Sequence, residues 1–334
     1  MARLTTLTPD KKGYLRILVI GGTGFIGSGV VSELRRAGHE VATFARHGDI
    51  AGDRRTLAAS AAQLHRFEPH LVIDMILSSG RQAREVIDTF QGRVSRLVAL
   101  SSCDVYRACG VLHRLEDGPL EPVPLTEESP IRTTRQTYPP SQIEMLKSVF
   151  GWLDDEYDKI PVEQVILGTQ DPVGTVLRLP MVYGPGDRLH RLRPLIAHMD
   201  AREDDFVIPE SVAQWRGPRG FVKNVAHAVA LAATHNVAVG RIYNVGEPQN
   251  FSEAEWAQRI ADVVGWRGRI TVKRDIDAPF DPRLAGNLQQ HWSTDTGRIR
   301  RELDYRELVD VDDAIRQTVD WERAMATINE ARQE

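Results

Sequence analysis

Few features of the 334-residue chain point to an unusual environment. Only two cysteines occur, Cys103 and Cys109, so no disulfide framework is implied and both read as free thiols. The formal net charge is −4, which gives no electrostatic case for a nucleic-acid or membrane surface. No apolar run approaches membrane-spanning length, and residues 1–13 are polar, without the apolar core of a signal peptide. These absences predict a cytoplasmic protein with no membrane partner and a flexible tail over 1–13. His190 and His198 have no second histidine or carboxylate at a recognisable metal spacing, so no metal is expected. Cys103 stands beside a serine of interest, Ser102, which by itself does not make it a nucleophile.

What the chain does have is a glycine-rich run, Gly21-Gly22-Thr23-Gly24-Phe25-Ile26-Gly27. It follows the apolar stretch Leu15-Arg16-Ile17-Leu18-Val19-Ile20, which reads as a buried strand. It opens into a segment where Ile26, Val30 and Leu34 recur at helical spacing, with Gly38 as the stop signal. A glycine turn between strand and helix lets backbone N–H groups approach a pyrophosphate, whose charge the helix N-terminus favours. Gly21, Thr23, Gly24, Phe25, Ile26 and Gly27 are therefore assigned to a dinucleotide cofactor.

Further strands are predicted at Glu40–Ala45, Leu71–Leu77 and Val94–Ser101, and helices fit after Asp53 (Leu57, Ala61, Leu64) and around Ala83, Ile87 and Phe90. This alternation predicts an α/β fold of the Rossmann type, a doubly wound parallel sheet. The stretch 110–154 is proline-rich, with little regular structure expected before Gln142; loops this long inside a compact domain are usually functional or disordered. Beyond it, a helix is predicted over Tyr157–Leu167 and strands at Thr175–Leu179 and Arg241–Asn244. Helices follow over Val222–Ala233 and Asp312–Met325, and a capping box at Ser252–Glu255 opens another. The expected organisation is a dinucleotide-binding domain over 14–180 with 221–247. A smaller mixed α/β C-terminal substrate lobe covers 181–220 with 248–330.

The pattern resembles the extended short-chain dehydrogenase/reductase family, which includes nucleotide-sugar epimerases and dehydratases. The resemblance runs along nearly the whole chain. It rests on the glycine loop, Gly52-Asp53, Ser101-Ser102-Cys103-Asp104-Val105-Tyr106, and Leu177 through Asp187. Arg219-Gly220-Phe221-Val222, Tyr243-Asn244-Val245-Gly246, and Asp295 through Tyr305 with Trp321 complete it. It implies an NAD(P)-dependent oxidoreductase or isomerase acting by hydride transfer on a sugar or nucleotide-sugar-like alcohol or ketone. It also implies an acidic adenine contact at Asp53, a cofactor contact at Pro180, and a homodimer through helices near 80–92 and 142–167.

On that alignment Ser102 is the catalytic hydroxyl, although a strand-end serine can equally satisfy local backbone. Cys103 replaces the first of two acids found in dehydratase relatives; Asp104 is either an acid facing substrate or a capping residue. The chain departs from the family at its Tyr-x-x-x-Lys pair. Lys159 aligns with the lysine, but Asp155 stands at the tyrosine position, and a carboxylate with a reference pKa of about 4 is a poor acid near neutrality. Tyr157 lies two residues before Lys159, about 200° away on a regular helix; placed in the loop before the helix, it could still point inward. Ser102, Tyr157 and Lys159 are the catalytic candidates, with Lys159 also a cofactor contact. Tyr138, in the enlarged loop, is an alternative source of the acid.

Strand two ends at Ala45, followed by Arg46, where NAD-binding relatives carry an acid. Arg46 offers a bidentate partner for a 2′-phosphate, which points to NADP with NAD as the alternative. The substrate-binding candidates are Asp104, Tyr106, Tyr183, Arg191 and Arg219, the arginines being suited to phosphate oxygens or, equally, to a solvated surface. A binding protein on the same fold is the competing class: an NADP(H) sensor or, as in RNA-binding relatives of this family, a nucleic-acid contact that the net charge disfavours.

Overall fold

The computed structural model describes residues 14–135, 138–274 and 286–330; the tail expected over 1–13 lies outside the described residues. The chain begins with β1 (Arg16–Ile20), α1 (Gly27–Arg36), β2 (Glu40–Ala45), the short β3 (Ile50–Ala51) and α2 (Ala61–Arg66). It continues through β4 (Leu71–Asp74), α3 (Gly80–Phe90), β5 (Arg96–Ser102), α4 (Arg107–Leu112), α5 (Pro140–Val149), α6 (Lys159–Gly168) and β6 (Val173–Leu179). Next come β7 (Met181–Tyr183), α7 (Arg193–Asp200), β8 (Asp205–Pro209), α8 (Glu210–Gln214), β9 (Arg219–Phe221) and α9 (Val222–Thr234). The chain closes with β10 (Ile242–Asn244), α10 (Glu253–Val264), β11 (Arg269–Lys273), α11 (Gly297–Leu303) and α12 (Val311–Glu330).

A seven-stranded sheet in the order β10-β6-β5-β4-β1-β2-β3 carries the fold, and every pairing in it is parallel. Helices cover both faces, so its strands are apolar on both sides: Ile17, Leu18, Val19 and Ile20 are all fully buried. Each such side chain contributes about 1.5–3 kcal/mol by leaving water. The order of strands reverses direction beside β1, between β4 and β2, where a doubly wound sheet opens its ligand crevice. The later segments add two parallel pairs, β7 with β9 and β8 with β11. Their helices pack on the main core, since Trp256, Ile260, Ile299 and Ile315 belong to the same buried cluster as β1.

Several element boundaries differ from the sequence reading. The strand expected over Leu71–Leu77 stops at Asp74, whose own carboxylate accepts from the Ile76 N–H and turns the chain. The helix expected after Asp53 is a 3₁₀ segment, Arg54–Ser60, kinked at Thr56 before α2. The helix expected from Tyr157 starts at Lys159, because the Asp158 side chain accepts from the Ile160 N–H and caps it. Pro140 at the first position of α5 suits a helix start, and that helix runs through the enlarged loop two residues earlier than expected.

A buried ion pair locks β5, α6 and β6 together. Arg178 meets Glu163 in bidentate fashion, with Nε 3.0 Å from Oε1 and Nη2 2.7 Å from Oε2. Ser101 of β5 donates to the same carboxylate at 2.6 Å. Removing one partner strands the other charge in the core, so Glu163→Ala is expected to lower unfolding free energy by about 3–5 kcal/mol. Urea denaturation checks this.

Candidate active site

The carboxyl ends of β1, β2, β4, β5 and β6 open on one cleft of about 1770 Å³. The glycine loop forms its floor. Gly21 adopts φ +78°, a left-handed conformation that favours glycine, and its N–H bonds Phe44 O at 2.9 Å. A Cβ on Gly27 would lie 2.3 Å from Gly21 O, so only glycine allows the helix to start so close to the strand. No side chain caps α1 and no acid stands in its first turn, so no side chain there competes with an anion in the cleft. Thr23, Gly24, Phe25 and Ile26 line the cleft beside them, and this cradle fits a pyrophosphate.

At the far end of the floor, Ala45 ends β2 and the exposed Arg46 follows it, and Asp53 lies on the same wall. The Arg55 side chain holds the Asp53 carboxyl below the usual carboxylate range, with the Arg55 N–H and Arg46 adding to the effect. Arg54, which the sequence reading passed over, is buried behind them and pairs with Asp74 and Glu85, each at 2.9 Å. An arginine beside the family-like Gly52-Asp53 carries no periodic signal of its own, and its two acids come from β4 and α3.

The middle of the cleft gathers Ser102, Tyr157 and Lys159. Ser102 ends β5; its Oγ accepts from the Asp104 N–H at 3.2 Å while the side chain still lines the cleft. Lys159 is buried and donates from Nζ to Leu77 O and, at 3.2 Å, to Leu100 O. Burial pushes its ammonium down to about 8, against the attraction of Asp104, Asp74 and Glu163. Tyr157 precedes α6, so the opposed-face argument does not apply, and its ring centroid lies 5.9 Å from Lys159 Nζ. Asp155, at the family's tyrosine position, is instead exposed and paired with Lys147.

Two substrate-contact expectations are corrected. Tyr106 lies in the core, donating to Asn244 Oδ1 at 2.6 Å with the Arg178 guanidinium 4.7 Å from its ring, and it does not reach the cleft. Asp104 is buried behind the cleft wall, where its Oδ2 accepts from Tyr157 at 3.2 Å and from Tyr138 at 3.4 Å. Burial pushes the Asp104 carboxyl up, with Arg132 and Lys159 opposing the shift. Burial and the Asp104 charge push both phenols up.

Tyr183, Arg191 and Arg219 do line the cleft, as do Pro180 and Trp215. Tyr183 donates to Glu247 at 3.2 Å, and burial pushes that carboxyl up to about 7. Arg191 is tied to Asp187 at 2.6 Å and to Val182 O at 2.9 Å. Arg219 pairs with Glu253 and lies over the Trp256 ring at 4.9 Å; its Nη1 is buried without a hydrogen bond among the described residues. Arg188 reaches across to α5 and bonds Val149 O at 2.9 Å. Arg216 pairs with Glu255 and His190 with Glu322, each at 2.7 Å, and neither lines the cleft.

Phe150, Trp152, Trp292 and His113 complete the walls. The sequence signal for the first two was the aromatic content of the enlarged loop. His113 and Trp292 gave none, because tertiary packing alone brings them to the cleft. Among the described residues no three His, Cys, Asp or Glu side chains gather as a metal site, and no helix is long and apolar enough to cross a membrane. Gly27→Ala is expected to weaken dinucleotide binding at least tenfold while the chain stays folded, as titration calorimetry beside far-ultraviolet circular dichroism would read.

The comparisons with known proteins agree with this fold. The chain is 23% identical to UDP-glucose 4-epimerase of Erwinia amylovora, over 92% of this chain and 98% of that protein. Its fold is similar to that of dTDP-glucose 4,6-dehydratase from Bacillus anthracis in complex with NAD, at a TM-score of 0.65 and 15% identity, covering 93% of this chain and 97% of that one. A short-chain dehydrogenase/reductase superfamily protein from Agrobacterium tumefaciens with bound NAD gives a TM-score of 0.65 and 18% identity, covering 95% and 99%. The model of the NAD dependent epimerase/dehydratase family matches residues 17–246. The chain belongs to the NAD dependent epimerase/dehydratase family.

Proposed function

We propose that this protein is an NAD(P)-dependent epimerase or reductase acting on an alcohol or ketone carbon of a sugar or nucleotide sugar. The observation that carries the reading is the meeting of Ser102, Tyr157 and Lys159 in one cleft with the glycine cradle. The bound nicotinamide supplies a hydride acceptor or donor. Ser102 Oγ orients the reacting oxygen, and Tyr157 takes or gives its proton. Lys159, fixed by two backbone carbonyls, would hold the cofactor ribose with its remaining N–H and keep positive charge near the phenol. Arg46 favours NADP over NAD, since a guanidinium fits a 2′-phosphate and no acid ends β2 to repel one. Tyr183, Arg191 and Arg219 form the substrate side of the cleft, with Asp53 and Pro180 on the cofactor side. The reading includes a homodimer through the helices near 80–92 and 142–167, which are α3, α5 and α6.

The similarity to UDP-glucose 4-epimerase supports a nucleotide sugar as the first substrate to try. The test incubates the protein with NADP⁺ or NADPH and a panel of nucleotide sugars, following reduced nicotinamide by absorbance and sugar products by NMR. Turnover is expected with the wild type and a fall of at least about a hundredfold in Tyr157→Phe. Cofactor binding without any hydride transfer across the panel would instead support a binding protein. For the cofactor, Arg46→Glu is expected to cut NADP⁺ affinity at least tenfold relative to NAD⁺, and an unchanged ratio would remove Arg46 from that role.

A further inference from the structure

We propose that Asp104 is a positioning residue that takes the proton of Tyr157 during the reaction, and that Tyr138 of the inserted segment is its second phenol partner. The three side chains come from separate parts of the chain: the 3₁₀ turn after β5, the enlarged loop and the turn before α6. Both phenols line the cleft, their ring centroids 6.2 Å apart, while the carboxylate lies behind them out of reach of a ligand. One oxygen, Oδ2, accepts from both. The other, Oδ1, is buried with no hydrogen bond among the described residues, and its nearest cation is Arg132 Nη2 at 4.0 Å.

This arrangement is built, and Arg132 builds it. Its guanidinium bonds the Asp104 backbone oxygen, the Thr134 carbonyl of the enlarged loop and, at 3.0 Å, the Asp158 carboxylate that caps α6. One buried side chain thus fixes the three segments that carry Asp104, Tyr138 and Tyr157. The other titratable groups facing the carboxylate are Asp158, Lys159 and the buried thiols of Cys103 and Cys109. A carboxylate held in this way has an incomplete hydrogen-bond shell, so it accepts a proton more readily than a solvated one.

The step follows from this geometry. In the oxidising direction the substrate hydroxyl passes its proton to the Tyr157 oxygen while the Tyr157 proton moves to Asp104 Oδ2. The C=O bond forms as the C–H electron pair leaves as hydride for the oxidised nicotinamide. Tyr157 ends as a neutral phenol and Asp104 as a neutral acid; the reducing direction runs the same transfers backwards. Tyr157 thereby avoids standing as a buried phenolate. Asp155, four residues before the lysine, is exposed and paired with Lys147, whereas Tyr157 sits in the turn just before α6, where the carboxylate is its neighbour.

This inference rests on the reading of Tyr157 as the acid/base, and its test is independent of turnover. The chain is labelled with ¹³C at aspartate carboxyls, the Asp104 signal is identified by its loss in Asp104→Asn, and its titration is followed by NMR. Its midpoint is expected well above the ordinary value of about 3.9 and is expected to rise further, by about half a unit or more, in Tyr157→Phe and in Tyr138→Phe separately. NADP⁺ affinity, measured in parallel, is expected to stay within about twofold in both phenylalanine variants, which reports an intact fold. An ordinary midpoint, or one that either variant leaves unmoved, overturns the proposal. A protein that shows these titrations and yet turns over no sugar would contradict the catalytic reading alone.

Discussion

The ammonium of Lys159, held between the carbonyls of Leu77 and Leu100, is the contact on which the site depends. Those carbonyls lie just past β4 and within β5, so one side chain pins the start of α6 to the carboxyl edge of the sheet. A buried lysine is costly to charge, and this one is sustained by backbone dipoles and by acids on three sides. Because α6 begins at this residue, the clamp also fixes the turn before it. Tyr157 is therefore held at the cleft wall by the same contact that anchors Lys159. The Arg178–Glu163 pair one turn further along α6 ties the helix to β5 and β6, so the edge that carries Ser102 moves with it.

The cleft is built from the glycine loop on one side and from the enlarged loop on the other. Its floor is the glycine turn and the exposed amide ends of α1, which only a strand and helix in close contact can produce. Its other wall is the enlarged loop, whose α5 carries Met145 and Leu146, with Phe150 and Trp152 just past its end, over the opening. That wall is anchored at both ends. Arg132 and the Asp104 phenol contacts hold its start, and Asp154, bonded to Ser79 and Arg81 at 2.6 Å each, holds its end. Arg188, from the segment between β7 and α7, bonds its middle. The loop thus covers the reacting region with aromatic surface while contributing a phenol to the buried carboxylate.

The glycine loop, the parallel sheet and Ser102 were legible in the sequence because each follows from local pattern: an apolar run, a glycine turn, helical spacing, a strand-end serine. Tyr157 was harder. Its direction depends on where α6 starts, and that is set by Asp158, a cap two positions inside the helix that periodicity alone suggested. Asp104 and Tyr106 were misplaced for a related reason: a 3₁₀ turn over Cys103–Val105 follows β5 and directs both side chains away from the cleft. The approach of Tyr138 to Asp104 spans 34 positions and depends on Arg132, so no local signal carries it. Arg54 and His113 reach the cleft through tertiary contacts of the same kind.

A crystal structure with NADP⁺ bound tests the central claim, that a tyrosine two residues before the lysine does the work of the displaced one. The account predicts the pyrophosphate on the glycine loop, Lys159 Nζ on the ribose hydroxyls, and the Ser102 and Tyr157 hydroxyls converging within hydrogen-bond reach, about 2.6–3.2 Å, of one point beside nicotinamide C4. A nicotinamide seated there with the Tyr157 hydroxyl turned away, and no other acid or base reaching C4, would contradict it.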